Sequence, residues 1–264
     1  MCMKNPRAFD VFGNIALVKF PKDFMAKNKK KFAERLLKEN KAVKTILEKT
    51  QKFKGRLRKQ QTKYLAGEKT KEALYRENNC IFRFHVDKTY FSSRLSNERK
   101  EISQQVKKND DVLVMFAGVS PYPIEIAKKS GASKVYSNEI NREANKYGRL
   151  NAELNKIKNK IEFLDGDIKK VALKLKKKRK KFDVIVMPRP QLKETFLKQA
   201  FSLSKIGTRI YYYDFCKEDE IDGIVNKIKS EAKKYRKRVK ILRIKKAGEI
   251  APYRYRIRID FKIL

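Results

Sequence analysis

The chain has 264 residues, 41% of them hydrophobic, enough to bury the core of one large domain or two modest ones. Its 68 Lys and Arg against 30 Asp and Glu leave a formal charge of +38, so the chain repels itself unless a polyanion screens it, and nucleic acid is the first partner to consider. No stretch approaches the roughly 20 apolar residues of a membrane span, and the start MCMKNPRAF lacks the apolar core of a secretory signal, so a soluble cytoplasmic protein without a membrane partner is expected.

Residues 8–20, AFDVFGNIALVKF, read as a strand, a tight turn at Gly13-Asn14 and a second strand. Residues 22–48 carry Phe24, Phe32, Leu36, Leu37, Val43, Ile46 and Leu47 among lysines, which predicts one or two amphipathic helices. Residues 52–72 are basic and polar, and residues 81–91, IFRFHVDKTYF, alternate like a strand. A charged helix over 97–108 follows. From there strands over 111–116, 134–137, 160–164, 182–187 and 208–214 alternate with helices over 121–129, 141–154 and 195–203. A strand pair, 239–244 and 253–261, completes the chain. This order predicts an α/β protein: a small basic α/β domain over 1–95, then a mostly parallel, doubly wound Rossmann-like domain over 96–264. The dense run KKVALKLKKKRKKF at 169–182 is either a solvated helix face or a phosphate contact.

The cysteines Cys2, Cys80 and Cys216 lie far apart, with no CxxC pair and His85 as the lone histidine. They specify neither a zinc site nor a disulfide framework, and no metal is expected. His85 reads as a hydrogen-bonded strand residue. Lys and Glu enrichment also accompanies growth at high temperature, but here Glu does not keep pace with Lys.

In an open parallel sheet, ligands sit beyond the carboxyl ends of the strands, so the informative residues are those at strand ends. There stand Phe116-Ala117-Gly118-Val119 after the first strand, Glu139 after the second, Asp167 after the third and MPRP after the fourth. Gly118 lets the backbone approach a ligand, Glu139 is placed to accept from ribose hydroxyls, and Asp167 from an adenine amino group. Taken singly, each is as well explained by a turn or a helix cap; their order on successive strands favours a nucleoside ligand. Neither GxGxxG nor GxxxxGK[ST] is present, which disfavours dinucleotides and triphosphates and makes S-adenosylmethionine the best candidate, since its ribose and adenine need those carboxylates and it has no pyrophosphate to cradle.

The segment from Tyr90 through Phe91-Ser92-Ser93-Arg94-Leu95-Ser96-Asn97 to Glu98-Arg99, followed by MFAGVSPYPI and YSNEIN, resembles the archaeal and eukaryotic tRNA guanine-37 N1 methyltransferases and the related wybutosine-pathway enzymes. Tyr64-Leu65-Ala66-Gly67-Glu68 and the terminal APYRYRIRIDFKI match as well, so the resemblance covers most of the chain. It implies methyl transfer to N1 of guanosine at position 37 beside the anticodon, with tRNA as partner and a monomer as the working form. Glu98 would be the general base for the N1 proton, and Arg58 would donate to O6 as charge develops there. Tyr90 would support the cofactor's methionine end or the base, while Arg94 and Arg99 would hold the loop and phosphates. Phe116 to Val119, Glu139, Ile140, Asp167 and Met187 would contact the cofactor, Pro188 would join the catalytic group, and Arg189 would meet RNA. Without the resemblance, Glu98 and Arg99 read as a capping and ion-pair pattern that opens a helix.

The sequence departs from this pattern in three ways. The match begins almost at residue 1, so the small N-terminal domain of many archaeal members is expected to be missing, with the lysine-rich surface in its place. Val114 stands where a carboxylate is common and Ser120 where glycine is frequent. Pro188 stands where the guanine-N1 enzymes generally carry asparagine, as in the archaeal subgroup linked to wyosine synthesis, whose members also methylate carbon 7 of 4-demethylwyosine. Three other readings remain: an aminocarboxypropyl transferase of the wybutosine pathway, a ribosomal RNA methyltransferase, and a non-enzymatic RNA-binding protein.

Overall fold

The computed structural model describes residues 9–51 and 53–264; Cys2, the Ala8 start of the first expected strand and Lys52 lie outside the described residues. The strand–turn–strand around Gly13-Asn14 is present as β1 (Phe9–Phe12) and β2 (Ile15–Val18), paired antiparallel. Helix α1 (Ala26–Glu39) buries Phe32, Ala33 and Leu36 and turns its many lysines outward. The helical reading of 22–48 overran at this point. Thr45–Lys49 is a strand, β3, parallel to β2 and antiparallel to β4 (Thr62–Gly67), which lies within the stretch read as polar. Ile46 packs in the cluster containing α1, and Leu47 in the larger core on the opposite face. A central strand covered on both faces shows a continuous apolar run, which by itself cannot be told from a buried helix.

Strands β5 (Glu72–Glu77) and β6 (Cys80–His85) form a hairpin. Its turn residues Asn78 and Asn79 both adopt left-handed φ, 48° and 59°, the backbone that a two-residue hairpin demands and asparagine tolerates. β6 stops earlier than the strand expected over 81–91. His85 closes it and accepts the Asp87 amide on Nδ1 at 3.2 Å, a local structural role. Asn14 ties the first sheet to this hairpin, accepting from Leu74 N at 2.7 Å and donating to Glu72 O at 3.2 Å.

Helix α2 (Ser96–Gln105) leads into the main sheet. Its parallel strands are β7 (Asp111–Met115), β8 (Lys134–Glu139), β9 (Ile161–Asp165), β10 (Phe182–Met187) and β11 (Ser204–Cys216). β12 (Val239–Ala251) and β13 (Arg254–Ile263) are the expected terminal pair, added antiparallel beside β11 to give the order β12-β13-β11-β10-β7-β8-β9. Helices α3 (Pro121–Lys129), α4 (Arg142–Leu154), α5 (Ile168–Lys177) and α6 (Leu197–Leu203) connect the strands. A further helix, α7 (Ile221–Lys234), was not anticipated; Val225, Ile228 and Ala232 are its buried face. The expected α/β architecture, mostly parallel and doubly wound, is present. Strand order reverses between β7 and its two neighbours β8 and β10, which opens a crevice at the carboxyl ends of the strands.

Candidate active site

The crevice begins at the turn after β7, where Phe116, Gly118 and Ser120 all adopt left-handed φ, 58°, 58° and 65°. Two of the three are not glycine, so the turn is strained, and packing has to hold it. Part of that packing is α4, whose Gly148 lies so close that an added Cβ would meet Ser120 Oγ at 2.6 Å. The turn aims the Gly118 amide at Glu139, which accepts it at 2.8 Å and takes the Ile140 and Asn141 amides at 2.8 Å each. Burial pushes the Glu139 carboxyl above its ordinary range, and outweighs the opposite pull of the three amides. A carboxylate has about four lone-pair sites, so three amide bonds leave acceptor capacity for a ligand hydroxyl.

Neighbouring asparagines, which the sequence reading overlooked, stitch the crevice together. Asn138 donates to Leu164 O at 2.7 Å and Gly166 O at 3.0 Å, bringing the ends of β8 and β9 into line. Asn141 caps α4 by accepting from Glu143 N, and its Nδ2 donates to Leu57 O at 3.2 Å and Lys88 O at 2.8 Å. That pair of bonds pins the 54–60 loop and the chain approaching Tyr90 onto the crevice. Asp167 caps α5 through Lys169 N at 2.9 Å and pairs with Arg56 at 2.5 Å. Burial would raise the Asp167 carboxyl, but the Lys169 amide and Arg56 together hold it below its ordinary value. Phe116, Gly118, Glu139, Ile140, Asp167, Pro188 and Phe196 line this cleft, and Phe196 meets Phe116 edge-on at 5.0 Å.

A second cavity of about 460 Å³ adjoins the cleft. Arg58, Tyr90, Leu95 and Arg256 belong to both walls. Arg58 stacks on the Tyr90 ring at 3.7 Å, and Tyr90 meets Phe53 edge-on at 4.9 Å. Burial would raise the Tyr90 hydroxyl, but the charges of Arg58 and Arg256 bring it below the ordinary tyrosine value. Arg94 is exposed at the rim and pairs with Asp10 at 3.2 Å. Arg256, missed in the sequence, comes from β13 through a fold-dependent contact; its one signal was the terminal motif APYRYRIRIDFKI.

Glu98 sits on α2 and is 5% exposed. Its oxygens take hydrogen bonds from Tyr213 at 2.9 Å, Arg258 at 2.7 Å and Lys245 at 2.5 Å. It is not among the residues lining either cavity.

Five of the expected site residues have side chains that are buried and engaged within the protein. Met187, Ala117 and Val119 point their side chains into the core clusters, since β10 and the turn after β7 are packed on both sides. They can offer a ligand backbone only. Arg99 is 1% exposed, paired with both oxygens of Glu77 at 2.5 and 2.6 Å and bonded to Ser92 O, so it braces the 92–99 loop as expected but presents no exposed group to a phosphate. Arg189 is likewise buried, paired with Asp214 and bonded to the carbonyls of Pro190, Leu192 and Glu194, where it holds the loop after β10 in shape. Among the described residues no cluster of His, Cys, Asp and Glu could hold a metal, and no helix is long and apolar enough to cross a membrane.

Residues 73–242 match the family described as the TRM5/TYW2 methyltransferase domain, and residues 2–70 match the TYW2 N-terminal domain. Among known proteins the chain is similar to tRNA (guanine(37)-N(1))/4-demethylwyosine(37)-methyltransferase Taw22 of Nanoarchaeum equitans (strain Kin4-M), at 33% identity over 97% of this chain and 100% of that one. Among solved structures it is similar to aTrm5 in a complex with tRNALeu, with TM-score 0.84 and 28% identity over 98% of this chain and 72% of that one. It is also similar to Methanocaldococcus jannaschii Trm5 in complex with adenosine, with TM-score 0.80 and 26% identity over 97% of this chain and 72% of that one.

Proposed function

Because the chain belongs to the TRM5/TYW2 methyltransferase family, we propose that it transfers a methyl group from S-adenosylmethionine to N1 of guanosine at position 37 of tRNA. The observation that carries this reading is the pair of adjoining cavities, one built around Glu139 and the other around Arg58 and Tyr90, with four residues in common. A donor nucleoside in the first and a base flipped out of the anticodon loop into the second would meet at that shared wall.

The residues of the cleft suit the cofactor. Glu139 keeps acceptor capacity for ribose hydroxyls, Gly118 presents bare backbone, and Phe116 and Phe196 offer apolar faces to a ring. S-adenosylmethionine, when bound, supplies an activated methyl group at a sulfonium centre. The cleft as closed has a volume of about 90 Å³, below the roughly 300 Å³ at which small-molecule sites begin, and the Arg56–Asp167 pair spans it. Cofactor access therefore needs that pair to part, which also releases the Asp167 carboxylate for an amino group.

At the acceptor, Arg58 donates to O6 while N1 loses its proton to Glu98. Its three hydrogen bonds leave Glu98 an acceptor site, as at Glu139, but it lines neither cavity, so α2 or the base must shift for the two to meet. The +38 charge supplies the phosphate contacts that hold the anticodon stem-loop. The division at residue 95, the cytoplasmic monomer and the RNA contact at Arg94 belong to the same proposal.

A second activity, methyl transfer to carbon 7 of 4-demethylwyosine at the same position, is favoured by the double name of the Taw22 relative and by the match to the TYW2 N-terminal domain. One experiment tests both. The protein is incubated with labelled S-adenosylmethionine and tRNA carrying either guanosine or the tricyclic base at position 37, and the product is digested to nucleosides and weighed. A methylated guanosine supports the first activity and a methylated tricyclic base the second. An added aminocarboxypropyl mass, or no addition, overturns both.

A further inference from the structure

The wall of the 460 Å³ cavity includes Gln60, whose chemistry the reading above leaves unused. Gln60 follows the 54–59 loop and is 6% exposed. Its backbone amide donates to Asp87 O at 3.1 Å, and its side-chain Nε2 donates to Val86 O at 2.8 Å. The second bond fixes the amide's orientation, because a flipped side chain would set two carbonyl oxygens against each other. Oε1 is then buried with no hydrogen-bond partner among the described residues. A buried acceptor left unmatched calls for a donor from outside the chain.

The rest of the wall limits what that donor is. Arg58 and Arg256 supply donors on the wall of the same cavity, so an occupant that meets them must offer an acceptor. Of the other carboxylates on the wall, Asp10 is paired with Arg94, and Glu249 stands exposed on the β12–β13 hairpin. The Watson–Crick edge of guanine carries O6 as an acceptor at one end and the 2-amino group as a donor at the other, with N1 between them. Adenine has an amino group where guanine has O6 and no substituent at C2.

We propose that Gln60 is a specificity residue for the target base, its Oε1 accepting a hydrogen bond from the 2-amino group of guanosine while the arginines hold O6. The inference rests on the guanosine reading given above. It adds the group that reads the far end of the base edge and so keeps N1 facing the donor.

The rival role for Gln60 is structural. Thr62 Oγ1 and Asp87 Oδ1 are also buried without partners, and Lys71 bonds both residues, through Thr62 O at 2.9 Å and Asp87 Oδ2 at 2.6 Å. A buried water shared in that corner would satisfy Gln60 without any base.

The test compares tRNA carrying guanosine with tRNA carrying inosine at position 37; inosine keeps O6 and N1–H and lacks only the 2-amino group. The wild-type protein is expected to favour guanosine in kcat/KM by about tenfold or more, since a site built to bond a substrate NH rejects the analogue without it. Gln60→Met, close in size and without a carbonyl, is expected to bring that ratio near one. Two results overturn the proposal: a wild-type ratio near one, or equal losses on both tRNAs in Gln60→Met, the mark of a structural water. The wild-type comparison needs no variant, so it stays decisive if Gln60→Met fails to fold. Failure of the guanosine reading itself shows differently, as wild-type protein that leaves guanosine 37 unmethylated, and it removes this proposal too.

Discussion

Glu139 and Glu98 are held in opposite ways. Glu139 is gripped by three backbone amides, from Gly118, Ile140 and Asn141. Glu98 is gripped by three side chains, Tyr213, Lys245 and Arg258, which lie 115, 147 and 160 residues away in sequence. Amides carry no net charge, and burial lifts the Glu139 carboxyl above its usual range. Around Glu98 the charges balance: Glu98, Glu101 and Asp260 face Lys245, Arg258 and Arg243. Burial alone would raise Glu101, but hydrogen bonds from Lys245 and Arg258 hold it at about 2. The Glu139 side is thus a backbone device that depends on two turns, whereas the Glu98 side is an ion cluster in which each member depends on the rest.

The largest effect should come from unbalancing the cluster. Arg258 is fully buried and serves all three carboxylates, so Arg258→Ala is expected to cost about 3–5 kcal/mol in denaturant unfolding. A loss under 1 kcal/mol would show that water or Lys245 replaces it, and the contrast with Glu139 would weaken. Next comes Glu98→Gln, expected to slow methyl transfer by about a hundredfold or more while calorimetry finds cofactor affinity nearly intact. An unchanged rate would leave Glu98 as a structural member of the cluster alone.

Glu139→Ala should act on the other side, weakening S-adenosylmethionine about tenfold to a hundredfold and, by leaving three amides unpaired, lowering stability by about 1–3 kcal/mol. The two carboxylates also separate in pH. Glu139 must be ionised to accept from ribose, and its raised proton affinity means that cofactor binding falls, as pH drops, earlier than an ordinary carboxylate would allow. Glu101 has the opposite sign. Its depressed value contributes stability above the ordinary carboxylate range, lost only as pH falls toward about 2. Binding titrations and melting curves over the same pH series check both, and coincident midpoints would erase the distinction.

How legible each region was in the sequence follows from the same contrast. Glu139, Gly118 and Asp167 could be found because a parallel sheet sends its strand ends to one edge, and motif order along the chain reports that geometry. The ion cluster could not, since Lys245 and Arg258 meet α2 only after β12 and β13 have been added beside β11. Nothing local in KILRIKK distinguishes Lys245 from its neighbours. Arg99 and Arg189 misled for a related reason: an arginine beside a motif looks like a phosphate ligand until its buried partners, Glu77 and Asp214, are seen. The strand at Thr45–Lys49 was hidden by burial on both faces, which erases the alternation that marks a strand.

The smallest expected effect tests whether the backbone device has a side-chain gate. Arg56 belongs to the loop that Asn141 pins through Leu57, and it reaches across the cleft to Asp167. Its side chain is 57% exposed, and a pair of that kind contributes at most about 1 kcal/mol, or roughly fivefold in a rate or affinity. Arg56→Ala should therefore speed S-adenosylmethionine association up to about fivefold in rapid-mixing binding measurements. Asp167→Ala should instead weaken affinity, because it removes the acceptor along with the bar. If both variants bind more weakly, Arg56 touches the cofactor and the cleft is not closed by it. If both bind faster with unchanged affinity, Asp167 serves only to cap α5, and the adenine must find its acceptor on the backbone.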